Sequence, residues 1–110
     1  MPIYMWQGSY TGESWAAQMK NPQNRVEAVG KAASEAVGGK LIGAWYAFGE
    51  YDVVIIADLP KPEAMAAIAI ALGAGGALKS AKTTVLMSGA EAVTAIANAN
   101  DVAKVYRPAR

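Results

Sequence analysis

The chain has 110 residues, 54% of them hydrophobic, with 10 Lys+Arg against 9 Asp+Glu and a net charge of +1. That length fits one domain, an apolar share above the usual ~45–50% points to surface buried against a partner, and scattered charge leaves no basic stripe for nucleic-acid phosphates. Cysteine and histidine are both absent, which removes disulfides, thiolate nucleophiles, zinc fingers, imidazole bases, a Ser-His-Asp set and histidine-ligated haem.

Met1 to Gln7 lacks the charged start and long apolar core of a secretory leader. Ile3 to Tyr10, rich in aromatic and β-favouring residues and closed by Thr11-Gly12, predicts a first strand. A short helical turn follows, with Thr11 as its cap and Glu13 near the positive end of its dipole. The main first helix is predicted from Asn21-Pro22, because asparagine caps and proline has no N–H to lose at the first helical position. Val26, Val29, Ala33 and Val37 then form one apolar stripe, and Gly38-Gly39 stops it.

Two apolar runs, Leu41 to Phe48 and Val53 to Ala57, flank Gly49-Glu50-Tyr51-Asp52. This pattern predicts a hairpin with a type II′ turn at Gly49-Glu50, setting Phe48 opposite Tyr51, Ala47 opposite Asp52, Tyr46 opposite Val53 and Trp45 opposite Val54. Alternation then puts Trp45, Ala47, Asp52, Val54, Ile56 and Asp58 on one face, and Ile42, Ala44, Tyr46, Phe48, Tyr51, Val53, Ile55 and Ala57 on the other. Pro62 opens a second helix with Met65, Ile68 and Leu72 as its stripe, ended by Gly73, Gly75 and Gly76. The apolar stretch Ala64 to Leu78 is shorter than the ~20 residues of a membrane span. Ala77 to Met87 reads as the fourth strand, Ser88 to Glu91 as a capping box for a third helix running to about Asn98, and Val105 to Arg110 as an extended tail.

The order is β-α-β-β-α-β plus a C-terminal helix: an α+β, ferredoxin-like domain with a four-stranded antiparallel sheet. One domain over 1–110 is expected, with its core in 1–87 and the last helix and tail in 88–110. Two helices cover one face of such a sheet. The other would still show Trp45, Val54 and Ile56, a patch that either closes on a second copy, sheet to sheet, or lies under the third helix.

The string Gly49-Glu50-Tyr51-Asp52-Val53-Val54 resembles the GYD domain family, named for its Gly-x-Tyr-Asp hairpin. Gly8-Ser9-Tyr10-Thr11, Gly38-Gly39-Lys40-Leu41 and Tyr106-Arg107-Pro108 are similar to the same pattern in the same order, so the resemblance spans nearly the whole chain, departing from it at Trp6, Trp15 and the alanine-rich second helix. It implies a small domain of the dimeric α/β-barrel type, a homodimer or higher homo-oligomer, in a family with no established reaction.

Few residues offer chemistry. Asp52 would be desolvated beside an inter-sheet space and could act as a general base, while an aspartate after a hairpin turn more often holds the register through local hydrogen bonds. Trp45, Trp6 and Gln7, with Asp52, would suit a flat organic ligand in a dry cavity, although aromatics on sheets are more often core. Both alternating sets of the first strand are mostly apolar, so the pattern does not fix which face carries Trp6. Gly73 to Gly76 follows a helix and so makes no phosphate cradle. No acidic cluster suggests a metal, and no cofactor is expected. The reading is a cytoplasmic, self-associating binding, sensing or accessory module that contacts neither membrane nor nucleic acid. The alternative is a cofactor-free isomerase or monooxygenase for an aromatic or enol substrate, with Asp52 as base and Trp45 or Trp6 stacking the ring.

Overall fold

A computed structural model describes residues 2–109. In chain order it holds β1 (Ile3–Tyr10), α1 (Gly12–Lys20), α2 (Arg25–Ala36), β2 (Lys40–Tyr46), β3 (Val53–Asp58), α3 (Pro62–Ala74), β4 (Leu78–Leu86) and α4 (Gly89–Val105). Every strand pair is antiparallel and the sheet order is β2-β3-β1-β4, which is the ferredoxin-like order. Alternate residues of β1 and β3 point at the helices. Tyr4, Trp6, Val53, Ile55 and Ala57 therefore form one buried cluster with Val26 of α2, with Ala64, Met65 and Ile68 of α3, and with Leu59.

Several elements differ from the sequence expectation for identifiable reasons. The predicted helical turn after β1 is a full helix, α1, capped by the Thr11 hydroxyl accepting from Ser14 N–H. Because α1 runs to Lys20, Asn21 closes it, and the cap of α2 passes to Asn24, whose side chain accepts from Glu27 N–H. Gly73 lies inside α3, and the left-handed residue after that helix is Gly76. The capping box at Ser88 and Glu91 is present in both directions, 3.1 and 2.8 Å. The Ser88 amide and hydroxyl hold the Glu91 carboxyl below its usual range. Asparagine is a weak helix former rather than a breaker, so α4 passes through Asn98 and Asn100 to Val105. Extended backbone begins at Tyr106, and Arg110 lies outside the described residues.

The hairpin keeps its register, with Tyr46 opposite Val53 and Trp45 opposite Val54, and with Ala47 N–H donating to Asp52 O at 2.8 Å. Its turn is not type II′. Phe48, not Gly49, adopts the left-handed conformation, at φ 53°. That conformation is costly for a bulky side chain, and ring stacking on Tyr46 (5.9 Å between centroids) and Trp15 (6.2 Å) offsets it. A bulge in β2 between Leu41 and Gly43 also moves one residue across the sheet. Leu41 packs on the core where alternation had placed Ile42, and Ile42 is exposed.

Helix α4 contributes no buried residue. It begins at the edge strand β4 and gives the chain extents of 58 × 35 × 22 Å and a radius of gyration of 17.2 Å, against about 13 Å for a compact chain of this length. The accessible surface is 7372 Å², whereas a compact monomer of 11.4 kDa would expose about 5,800 Å². About 1,600 Å² of surface is thus left uncovered by the chain's own packing.

Candidate functional site

The helix-free face of the sheet is ordered by strand register into rows. Trp45, Val54, Gln7 and Lys82 form one row, Gly43, Ile56, Met5 and Thr84 the next, and Lys40, Asp58, Ile3 and Leu86 the third. The middle of this face is apolar, with charges toward its ends. Trp45 is half exposed, and its indole lies against Gly43, where a Cβ would collide with the six-membered ring. Glycine at that position lets the indole lie flat along the strand.

Trp6 is on the opposite side. It is buried among the helices, with its six-membered ring against Gly8, where a Cβ would again collide with it. The four residues marked by the sequence are therefore not brought together: Trp45 and Gln7 share the open face, while the sheet separates them from Trp6. Asp52 serves the hairpin. Its Oδ2 accepts from Tyr10 N–H at 2.9 Å, its own N–H donates to Gly8 O at 2.9 Å, and the neighbouring Ser9 hydroxyl donates to Glu50 O at 3.0 Å. These bonds tie the Gly-x-Tyr-Asp loop onto the end of β1.

On the helix side, a cavity of about 240 Å³ opens between α2, α3 and the sheet. Val26, Val29, Leu72 and Leu78 supply much of its apolar wall, and Trp6, Tyr10 and Arg25 line it as well. The Trp6 Nε1–H itself is closed off even from water and has no acceptor among the described residues. Tyr10 packs edge-on against Trp15 at 5.1 Å and 76°. Burial first, then the neighbouring Tyr46 and Asp52, push its hydroxyl pKa up, with Arg25 opposing. The cavity meets a wider, polar cleft of about 430 Å³ beside α1, lined by Glu13, Gln18 and Gln23 among others, and Arg25, Gly75 and Ala77 belong to both linings. Sequence reasoning missed Tyr10 and Arg25. Tyr10 lies in the Gly8-Ser9-Tyr10-Thr11 segment but reads there as a strand end, and Arg25 reads as an ordinary exposed first-turn residue until α3 is placed beside it.

A model of the GYD domain matches residues 4–96. The chain belongs to the GYD domain family. No curated relative matches it. Among solved structures, the domain is similar to TTHA0845 from Thermus thermophilus, at 18% identity and a TM-score of 0.54, over 81% of this chain and 96% of that one. It is also similar to Atu4242 from Agrobacterium tumefaciens, at 16% identity and a TM-score of 0.51, over 81% and 94% of the two chains. FFRP-DM1 matches at 12% identity and a TM-score of 0.53, over 79% of this chain and all of that one. At such identities these likenesses establish the fold. Among the described residues of this GYD domain, no helix is long and apolar enough to cross a membrane.

Proposed function

We propose that this GYD domain is a self-associating binding or accessory module in which a second copy covers the open sheet face and the apolar stripe of α4. The observation that carries this reading is the uncovered surface. Ala95, Ile96, Ala99, Val102 and Ala103 recur at helical spacing along α4 and Tyr106 follows as its C-cap, with Ile96, Val102 and Tyr106 each more than 60% exposed. The open face of the same chain adds Trp45, Val54, Ile56 and Met5.

A twofold operator pairs both surfaces at once, since each copy offers the same two patches. Four strands at about 4.8 Å spacing and about 23 Å length present roughly 440 Å², and a helix of about 25 Å adds roughly 250 Å². Two copies would bury about 1,400 Å² in total, within the ~1,200–2,000 Å² of specific interfaces. Sedimentation velocity on the full chain across the micromolar range tests it. The expected result is a dimer or larger species, and a monomer throughout that range overturns the reading.

A further inference from the structure

We propose that the cavity between α2, α3 and the sheet binds a small amphipathic anion, a single-ring or short-chain carboxylate, with its apolar body among Val26, Val29, Leu72 and Leu78 and its carboxylate at Arg25 and Tyr10. The site lies on the opposite side of the sheet from the open face and is complete within one chain, so it goes beyond the self-association reading and stands or falls separately from it.

Three observations converge. The first is the polar complement among the residues lining the inner cavity: Tyr10 carries a phenol and Arg25 a guanidinium, and none carries a carboxylate. The guanidinium only donates, and the phenol donates as well as accepts, so the lining suits a ligand rich in acceptors. The second is that the Arg25 guanidinium, at the exposed start of α2, has no carboxylate within ion-pair distance among the described residues, so its charge is available to a bound carboxylate. The third is the layout. Arg25 stands where the apolar cavity meets the polar cleft, so a carboxylate held there leaves its hydrocarbon part facing inward. Glu13 is the single acidic side chain in the cleft lining, outside the cavity itself.

Size narrows the ligand further. The cavity of about 240 Å³ falls between the ~150 Å³ that holds benzene and the ~300 Å³ at which drug-sized pockets begin. One ring or a short branched chain fits. A dinucleotide, a fused polycycle or a long acyl chain does not.

The test is titration of the full chain with benzoate, and separately with benzyl alcohol, its uncharged counterpart, read by the indole N–H resonances in proton–nitrogen correlation spectra. Trp6→Phe assigns the Trp6 signal, and Trp45, on the other face, serves as reference. Benzoate is expected to shift the Trp6 resonance saturably with a Kd of about 1 mM or tighter. Arg25→Gln is expected to weaken binding at least about tenfold, since a charge-assisted contact is lost. This substitution lies at the exposed first turn of α2 and leaves the core intact. Benzyl alcohol binding as tightly as benzoate, an unmoved Trp6 resonance, or unchanged affinity in Arg25→Gln would each overturn the proposal. None of these readouts depends on whether the protein is a monomer or a dimer.

Discussion

Substituting Ile96 by alanine removes the largest aliphatic side chain from the stripe of α4 while leaving the isolated chain almost untouched. Ile96 is 69% exposed, so nearly all of its burial must come from a second copy. Full burial of an isoleucine contributes about 1.5–3 kcal/mol. The exposed share beyond what alanine retains amounts to about 1–1.5 kcal/mol per copy, counted twice across a twofold interface. A loss of about 2–3 kcal/mol weakens the dimer about 30- to 150-fold. Alanine is also the better helix former, so α4 should persist, and unchanged far-ultraviolet circular dichroism provides that control. Sedimentation equilibrium over a concentration series measures the dissociation constant for both proteins. A variant whose Kd stays within about threefold of the wild type, with its helix content intact, refutes the placement of α4 in the interface.

Two further outcomes follow from groups at the end of β1. Asp52→Ala leaves the Tyr10 amide without its acceptor and should cost about 1–2 kcal/mol in urea unfolding, whereas Asp52→Asn, which keeps an oxygen acceptor, should cost about half as much or less; equal losses in the two variants would contradict the assigned bond. The folded Tyr10 hydroxyl titrates above its ordinary value of 10.0, so the folded chain holds that proton more tightly than the unfolded one. Its contribution to stability is complete below about pH 10 and is lost as pH rises through the folded value. Urea midpoints measured on either side of pH 10 should therefore fall less in Tyr10→Phe than in the wild type, and parallel declines would show that the hydroxyl is not the source.

The sheet was largely legible from sequence because short-range rules specify it. Alternation in Val53 to Asp58, the run from Gly49 to Asp52 and the capping box at Ser88 each carry their own signal, and register followed from them. Failures came where packing overrode a local preference. Stacking on Trp15 and Tyr46 moved the left-handed residue from Gly49 to Phe48, and the bulge after Leu41 reversed the direction of Ile42. The candidate site was harder to read. A strand with apolar residues on both faces gives no phase, so Trp6 could not be assigned a side until α2 and α3 covered it. The cavity joins Tyr10, Arg25 and the Leu72 to Leu78 stretch, three separate parts of the sequence, and no local pattern connects them.

Strand β4 belongs to both halves of this molecule. Leu78 at its start forms part of the cavity wall, and two residues past its end at Leu86, Ser88 caps the arm-like helix α4. Only Met87 and that cap intervene, so the end of β4 and the few dihedrals of this joint decide where the arm points. The course of β4 and the short joint after it together set the bearing of α4, as a mount sets a lever. Lengthening this joint by even a few residues would release that bearing while sparing every contact of the core, so assembly should tolerate insertion here far less than folding does.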